Sequence, residues 1–167
     1  MAALAHVGLG SNLADPGAQL ARALAELERL PATQCIAASS LYATAPIGCR
    51  EPQPDYVNAV VTLRTGLTPR RLLHSLQAIE RRHRRRRGAR NAPRTLDLDL
   101  LLYGGLRCRH RRLVLPHPRL QQRAFVLRPL LEIATAARIP GLGWARRYLA
   151  ATRRQRLRWL GPAAAQS

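Results

Sequence analysis

Asp97 and Asp99 stand at alternate positions in the apolar stretch RTLDLDLLLY, and they are two of only nine acidic residues in a chain carrying 28 basic ones. A strand repeats its side-chain direction every second residue. Both carboxylates therefore project from one face, while Leu96, Leu98 and Leu100 project from the other. A solvated face of an antiparallel sheet accounts for this pattern. So does a cation site. Leu101, Leu102 and Tyr103 ask for burial on both faces, and neighbouring carboxylates in a part-buried place repel each other unless a cation lies between them. Magnesium suits such a pair, being a hard ion that takes carboxylate oxygens and shares its remaining positions with substrate phosphates. Two carboxylates on one face suffice for a pair of ions along a polyphosphate, with arginine forks gripping the phosphate oxygens.

The elements that must position this pair follow from periodicity. Ala3 to Leu9 reads as a buried strand. Asp15 and Pro16 then supply an N-cap and a first helical residue, and Leu20, Leu24, Leu27 and Leu30 recur at helical spacing until Pro31. One strand is expected from about Thr33 to Ala43 and another at YVNAVVTLRT. Thr68 and Pro69 open a second helix with Leu72, Leu73, Leu76 and Ile79 on its inner face. A basic loop, RRHRRRRGARNAP, returns the chain to the aspartate strand. The order β-α-β-β-α-β predicts a ferredoxin-like α+β fold, a split β-α-β sheet with helices packed on one face. Beyond it, the proline-punctuated connection LVLPHPRLQQRAF leads to a short helix beginning near Pro129. A basic C-terminal helix follows from around Trp144, with Trp144, Tyr148 and Leu149 packing on the domain. Thr44 to Asp55 and Arg84 to Pro93 are long and polar, as functional loops in small domains are.

Composition removes several classes. A length of 167 residues, 47% of them hydrophobic, fits one domain with a real core and offers no apolar run able to span a bilayer. The first residues, MAALAHVGLG, lack a basic leader and read as the opening strand. Cys35, Cys49 and Cys108 are widely spaced with no C-x-x-C pair, which fits a reducing cytoplasm and argues against a cysteine-built metal site. All 28 basic residues are arginine, and the net charge of +19 attracts polyanions. Without a lysine there is no G-x-x-x-x-G-K-[ST] phosphate loop. Gly8-Leu9-Gly10 follows a strand, but Leu13 stands where a dinucleotide fingerprint needs its third glycine.

APRTLDLDLLLY, together with GLGSN, YATAPIG, QPDYVNAVV, LQAIE and LPHPRLQQRAFVLRPLLEIA, closely resembles the 6-hydroxymethyl-7,8-dihydropterin pyrophosphokinase family of folate biosynthesis, in order from about Val7 to Ala134. The resemblance implies a single pyrophosphokinase domain over 1–167, with a core at about 3–135 and a basic helical extension over 144–160. It implies transfer of the pyrophosphoryl group of ATP to the hydroxymethyl group of the reduced pterin, releasing AMP, by a cytoplasmic monomer without a membrane or specific nucleic-acid partner. Asp97 and Asp99 match the ligands of two Mg²⁺ ions. Arg85 and Arg94 match catalytic-loop arginines. Gln77, Arg112, His117 and Arg123 match positions around ATP. Thr44, Ala45, Ile47, Tyr56, Asn58 and Phe125 match the pterin contacts, and Glu80 has a supporting place.

Physical chemistry supports the pterin assignment from the other direction. A flat heteroaromatic ring wants aromatic faces and an amide to read its edge. Phe125 is the single phenylalanine of the chain, and Asn58 shares a strand face with Tyr56, although core packing also explains both rings. The chain departs from the family pattern where Asn91 replaces a loop tryptophan and Arg84 replaces a glycine; Ala45 and Ile47 are milder changes. Two rival readings follow. The charge and the strand order fit a basic RNA-binding module, but the aromatic signature of such modules is absent. Asn91 leaves room for a diverged paralogue with a changed substrate.

Overall fold

The computed structural model describes residues 2–12, 15–45, 54–85 and 96–163. Along them run β1 (Ala3–Ser11), α1 (Pro16–Glu28), β2 (Thr33–Ala38), β3 (Ser40–Thr44), β4 (Tyr56–Thr65), α2 (Pro69–Arg85), β5 (Asp97–Tyr103), β6 (Cys108–His110), β7 (Leu113–Leu115), α3 (Ala124–Ile133), β8 (Arg138–Ile139), β9 (Gly143–Trp144) and β10 (Arg158–Pro162). Both early helices start as their residue types dictate. Asp15 accepts a hydrogen bond from Ala18 N at 3.2 Å ahead of Pro16, and Thr68 Oγ1 accepts one from Arg71 N at 3.3 Å ahead of Pro69.

The main sheet has the order β10-β3-β4-β1-β5, with β2 also paired to β4. Every pairing in it is antiparallel. This is the ferredoxin-like arrangement expected from the strand and helix order. Its first face carries Ala5, Val7 and Leu9 of β1, Val57, Ala59, Val61 and Leu63 of β4, and Leu98 and Leu100 of β5. Leu20, Ala23, Leu24 and Leu27 of α1 and Leu72, Leu76 and Ile79 of α2 close over them, each at most 3% exposed. Full burial of such a side chain stabilises by about 1.5–3 kcal/mol.

Three details differ from expectation. Helices cover both faces of the sheet, because β4 is buried on both sides: α3, with Leu120, Ile139 and Ala145, packs on Val60, Leu101 and Leu102. The strand expected from Thr33 to Ala43 breaks at Ser39. There the hydroxyl takes the place of a backbone carbonyl, accepting from Val60 N at 2.9 Å while Ser39 N donates to Val60 O at 2.9 Å. Leu101 bulges out of the β1–β5 ladder, which sends Leu101 and Leu102 into the same core.

The C-terminal part also departs from expectation. The helix placed near Pro129 begins at Ala124 and holds Pro129 inside it. No α-helix starts at Trp144. The chain runs through positive-φ glycines at Gly141 and Gly143, two short 3-10 turns (Ala145–Tyr148 and Ala150–Thr152) and then β10, which pairs with β3. Left-handed glycines end a helical run before it can start, and the free edge of β3 offers the last basic residues a ladder to join.

Candidate active site

The second face of the sheet is covered by α3 over only half its length. The uncovered half forms the floor of a cavity of about 870 Å³, within the range of small-molecule sites. The ladders fix that floor in two rows: Asn58 of β4, Gly10 of β1 and Asp97 of β5, then Val60, Gly8 and Asp99. The glycines that fail as a dinucleotide fingerprint have a local purpose here. A Cβ on Gly10 would come within 3.1 Å of Asn58 Oδ1, so glycine leaves the asparagine its place. Thr44, at the end of β3, orients the amide by accepting from Asn58 Nδ2 at 3.0 Å. Asp97 is half-buried and Asp99 exposed.

Around this floor, Tyr56 and Ala45 line one side, and Arg119, Gln122, Arg123 and Phe125 line another. Arg123 lies over the Phe125 ring, 5.5 Å from its centroid. His117 follows the cis Leu115–Pro116 bond and donates its backbone N–H to Leu101 O at 2.9 Å. Its Nδ1 accepts from Arg119 N at 3.3 Å, which leaves Nε2 as the proton-bearing atom of the neutral ring. Burial pushes the His117 pKa below its ordinary value. The Asp99 charge works against that shift, and Arg123 and Arg119 add to it.

Glu80 stands beside the aspartates from α2, accepting from Leu98 N at 3.4 Å. Burial raises its pKa to about 7, the Leu98 bond opposes the rise, and the charges of Asp97 and Asp99 add to it. Asp97 and Asp99, side by side on one strand face, favour a cation at the pair. Among the described residues no group of three or more His, Cys, Asp or Glu side chains is placed to hold a metal ion by itself. An open pair of hard oxygen donors fits a Mg²⁺ ion that completes its shell from water and phosphate.

Asp97, Asp99, Thr44, Ala45, Tyr56, Asn58, Arg123 and Phe125 thus come together around one cavity, with Glu80 and His117 at its margin. Gln77 on α2 and Arg112 in the β6–β7 turn are exposed and are not among the lining residues. Arg94, Ile47 and Asn91 lie outside the described residues, as does the side chain of Arg85. Sequence reasoning missed Gly8, Gly10, Arg119, Gln122, Arg154, Gln155 and Arg156. Arg119 and Gln122 sit inside the motif PHPRLQQRAF, so their neighbours were a usable signal. Nothing in the run RRQR marked it as cavity-lining.

A ferredoxin-like α+β protein whose open sheet face sets carboxylates against arginines fits, by its chemistry, among the enzymes that move phosphate groups. Residues 6–135 match the model of the family described as 7,8-dihydro-6-hydroxymethylpterin-pyrophosphokinase (HPPK). The chain belongs to that family, and its reaction is pyrophosphoryl transfer to hydroxymethyldihydropterin in folate biosynthesis. The 2-amino-4-hydroxy-6-hydroxymethyldihydropteridine pyrophosphokinase of Pseudomonas aeruginosa is 49% identical over 135 residues, covering 81% of this chain and 83% of the relative. The protein of the same name from Haemophilus influenzae is 45% identical over 136 residues, covering 81% and 84%. Among solved structures, wild-type Plasmodium falciparum HPPK-DHPS shares the fold with a TM-score of 0.71 at 14% identity, covering 90% of this chain and 45% of that longer one. Neither an RNA-binding module nor a paralogue with a changed substrate is favoured by these relationships.

Proposed function

We propose that this cavity carries out the transfer with ATP as donor and 6-hydroxymethyl-7,8-dihydropterin as acceptor, the pterin lying between Tyr56 and Phe125 and read by Asn58. The observation that carries this reading is the row Asn58–Gly10–Asp97. It sets an edge-reading amide and a cation-binding carboxylate on one glycine-smoothed floor. Asp97 and Asp99 hold two Mg²⁺ ions, which when bound neutralise the polyphosphate and polarise its oxygens. Arg123 and His117 meet phosphate oxygens from the α3 side. Arg85, at the end of α2, and Arg94, ahead of β5, do so from the other side, and Gln77 and Arg112 contact the nucleotide. Thr44 fixes the Asn58 amide, and Ala45 and Ile47 complete the pterin side. Glu80 supports the strand of aspartates.

In the reaction, the hydroxymethyl oxygen attacks the β-phosphorus, the bond between the β-phosphorus and the oxygen linking it to the α-phosphate breaks, and AMP departs as the hydroxyl proton is lost. Alignment and charge stabilisation supply most of the acceleration in such transfers. The same reading takes the enzyme as a monomer, with residues 136–163 joined to one domain over 1–167 through the β10–β3 pairing. No helix among the described residues is long and apolar enough to cross a membrane, and the same reading makes this a cytoplasmic enzyme without a specific nucleic-acid partner. The test is a turnover assay with ATP, Mg²⁺ and the hydroxymethyl pterin. AMP and the pterin diphosphate are expected in equal amounts; ADP as the nucleotide product, or no turnover, sinks the reading.

A further inference from the structure

Beyond residue 135, where the family match ends, the chain crosses back over the active-site cavity. Arg154, Gln155, Arg156 and Leu157 line it between the 3-10 turn Ala150–Thr152 and β10. The crossing is fixed at two points. Gln155 Oε1 accepts from Ala124 N at 2.8 Å, and its Nε2 donates to Gln122 O at 2.7 Å. Arg123, at the start of α3, makes no side-chain cap of its own, so a residue from a distant part of the chain satisfies one of the helix's first donors. On the other side, Arg158 pairs with Ala43, next to Thr44. The segment is therefore a strap held between the helix start that bears Phe125 and the strand end that bears Thr44.

The charge on this strap has no internal use. Among the described residues, Arg119, Arg123, Arg154 and Arg156 line the cavity without an ion pair, while Asp97 and Asp99 are the carboxylates that line it. Unpaired guanidinium groups facing a cavity call for an anion. Both strap anchors adjoin Phe125 and Thr44, the pterin side in the function proposed above, on which this inference rests. Gln155 also grips the residues on either side of Arg123, so the strap stands where the polyphosphate meets the pterin. The anion nearest the strap is then the diphosphate once it has joined the pterin.

We propose that Arg154 and Arg156 bind the diphosphate of the pterin product, with Gln155 as the positioning residue that holds them there. The acceptor alcohol carries no phosphate and gains little from them. The strap thus distinguishes the product from the acceptor alcohol, and it contributes to how long the product stays bound.

The experiment compares Arg154→Gln/Arg156→Gln with the unaltered protein by titration calorimetry in the presence of Mg²⁺, using three ligands: hydroxymethylpterin diphosphate, hydroxymethylpterin and α,β-methylene-ATP. Affinity for the pterin diphosphate is expected to fall about tenfold, as loss of charge-assisted phosphate contacts implies, with hydroxymethylpterin, which carries no phosphate, within about twofold; α,β-methylene-ATP is expected to weaken as well, because its β- and γ-phosphates become that diphosphate. Gln155→Leu is expected to reproduce the selective loss and to lower KM-normalised turnover less than it lowers product affinity. A uniform loss across the three ligands makes the strap a purely structural element and overturns the proposal. So does an unchanged product affinity. Failure of the unaltered protein to release AMP would instead sink the underlying function, and it is read in a separate assay.

Discussion

The two faces of this one sheet are built from the same strands and do opposite things. On the first, Val7, Leu9, Val61, Leu63, Leu98 and Leu100 meet α1 and α2 with almost no exposure. One buried polar cluster there is matched among its own members. His83, 2% exposed, has its ring nitrogens 2.8 Å from Gln19 Oε1 and 2.6 Å from Glu26 Oε2. On the second face the alternate residues of those strands read Gly8, Gly10, Asn58, Asp97 and Asp99, and half of it is left open. A strand period of two lets one segment serve both purposes. Stability and chemistry should therefore separate by residue parity along β1, β4 and β5.

The strongest way to break this division is Asp97→Ala or Asp99→Ala. Each is expected to lower AMP release by at least about 10³-fold, since each removes charge stabilisation made at the reacting phosphates. The thermal midpoint should move by no more than about 3 °C, the scale of a surface change. Turnover surviving at a tenth or more of the original rate would return both aspartates to a solvated face. Leu76→Ala is the converse probe on the first face. Leu76 is fully buried, so its truncation should cost about 2–5 kcal/mol and lower the midpoint by roughly 5–15 °C. The molecules that remain folded should keep kcat/KM within about threefold of the original. A large kcat/KM loss in folded Leu76→Ala would show the two faces to be mechanically coupled.

Parity was legible in the sequence because it is local. The alternation in TLDLDLLL announces two faces, and Asp15-Pro16 and Thr68-Pro69 announce helix starts, each with its own short-range cause. What stayed hidden depends on distant partners. Ser39 interrupts a strand only because its hydroxyl meets Val60 N, and α3 starts at Ala124 rather than near Pro129 with Gln155 capping it from 31 residues away. The basic run RRQRLRW alternates polar and apolar residues only from Arg156 to Trp159, too short a signal to mark a strand, yet part of it becomes β10 at the edge of β3, as tertiary pairing overrides weak local preference. For the same reason the aspartates, Asn58 and Phe125 could be named from residue type and motif. Arg154 and Arg156 could not, since nothing near them in sequence says what they face.

The smallest expected effect sharpens the comparison on the closed face, where the Glu26, His83, Gln19 and Arg82 cluster ties α1 to the last turn of α2. Burial alone would raise the Glu26 pKa. The hydrogen bonds and charges of His83 and Arg82 outweigh it and hold the carboxyl below its ordinary value of 4.5. A carboxylate held low in the folded state adds stability at neutral pH, and that contribution disappears as pH falls through the folded-state pKa. Glu26→Gln should therefore lower the thermal midpoint at neutral pH by roughly 2–4 °C, the equivalent of about one hydrogen bond. The gap to the unaltered protein should narrow as pH falls below about 4.5 and on through the lowered folded-state pKa, where Glu26 takes up its proton in the unaltered chain. A gap that stays constant over that range would mean the cluster acts by shape rather than by charge. AMP release at neutral pH tests the other half. If the closed face serves stability alone, kcat/KM is unchanged within about twofold, whereas a drop in kcat would mean that the end of α2 is fastened here for the loop that follows it.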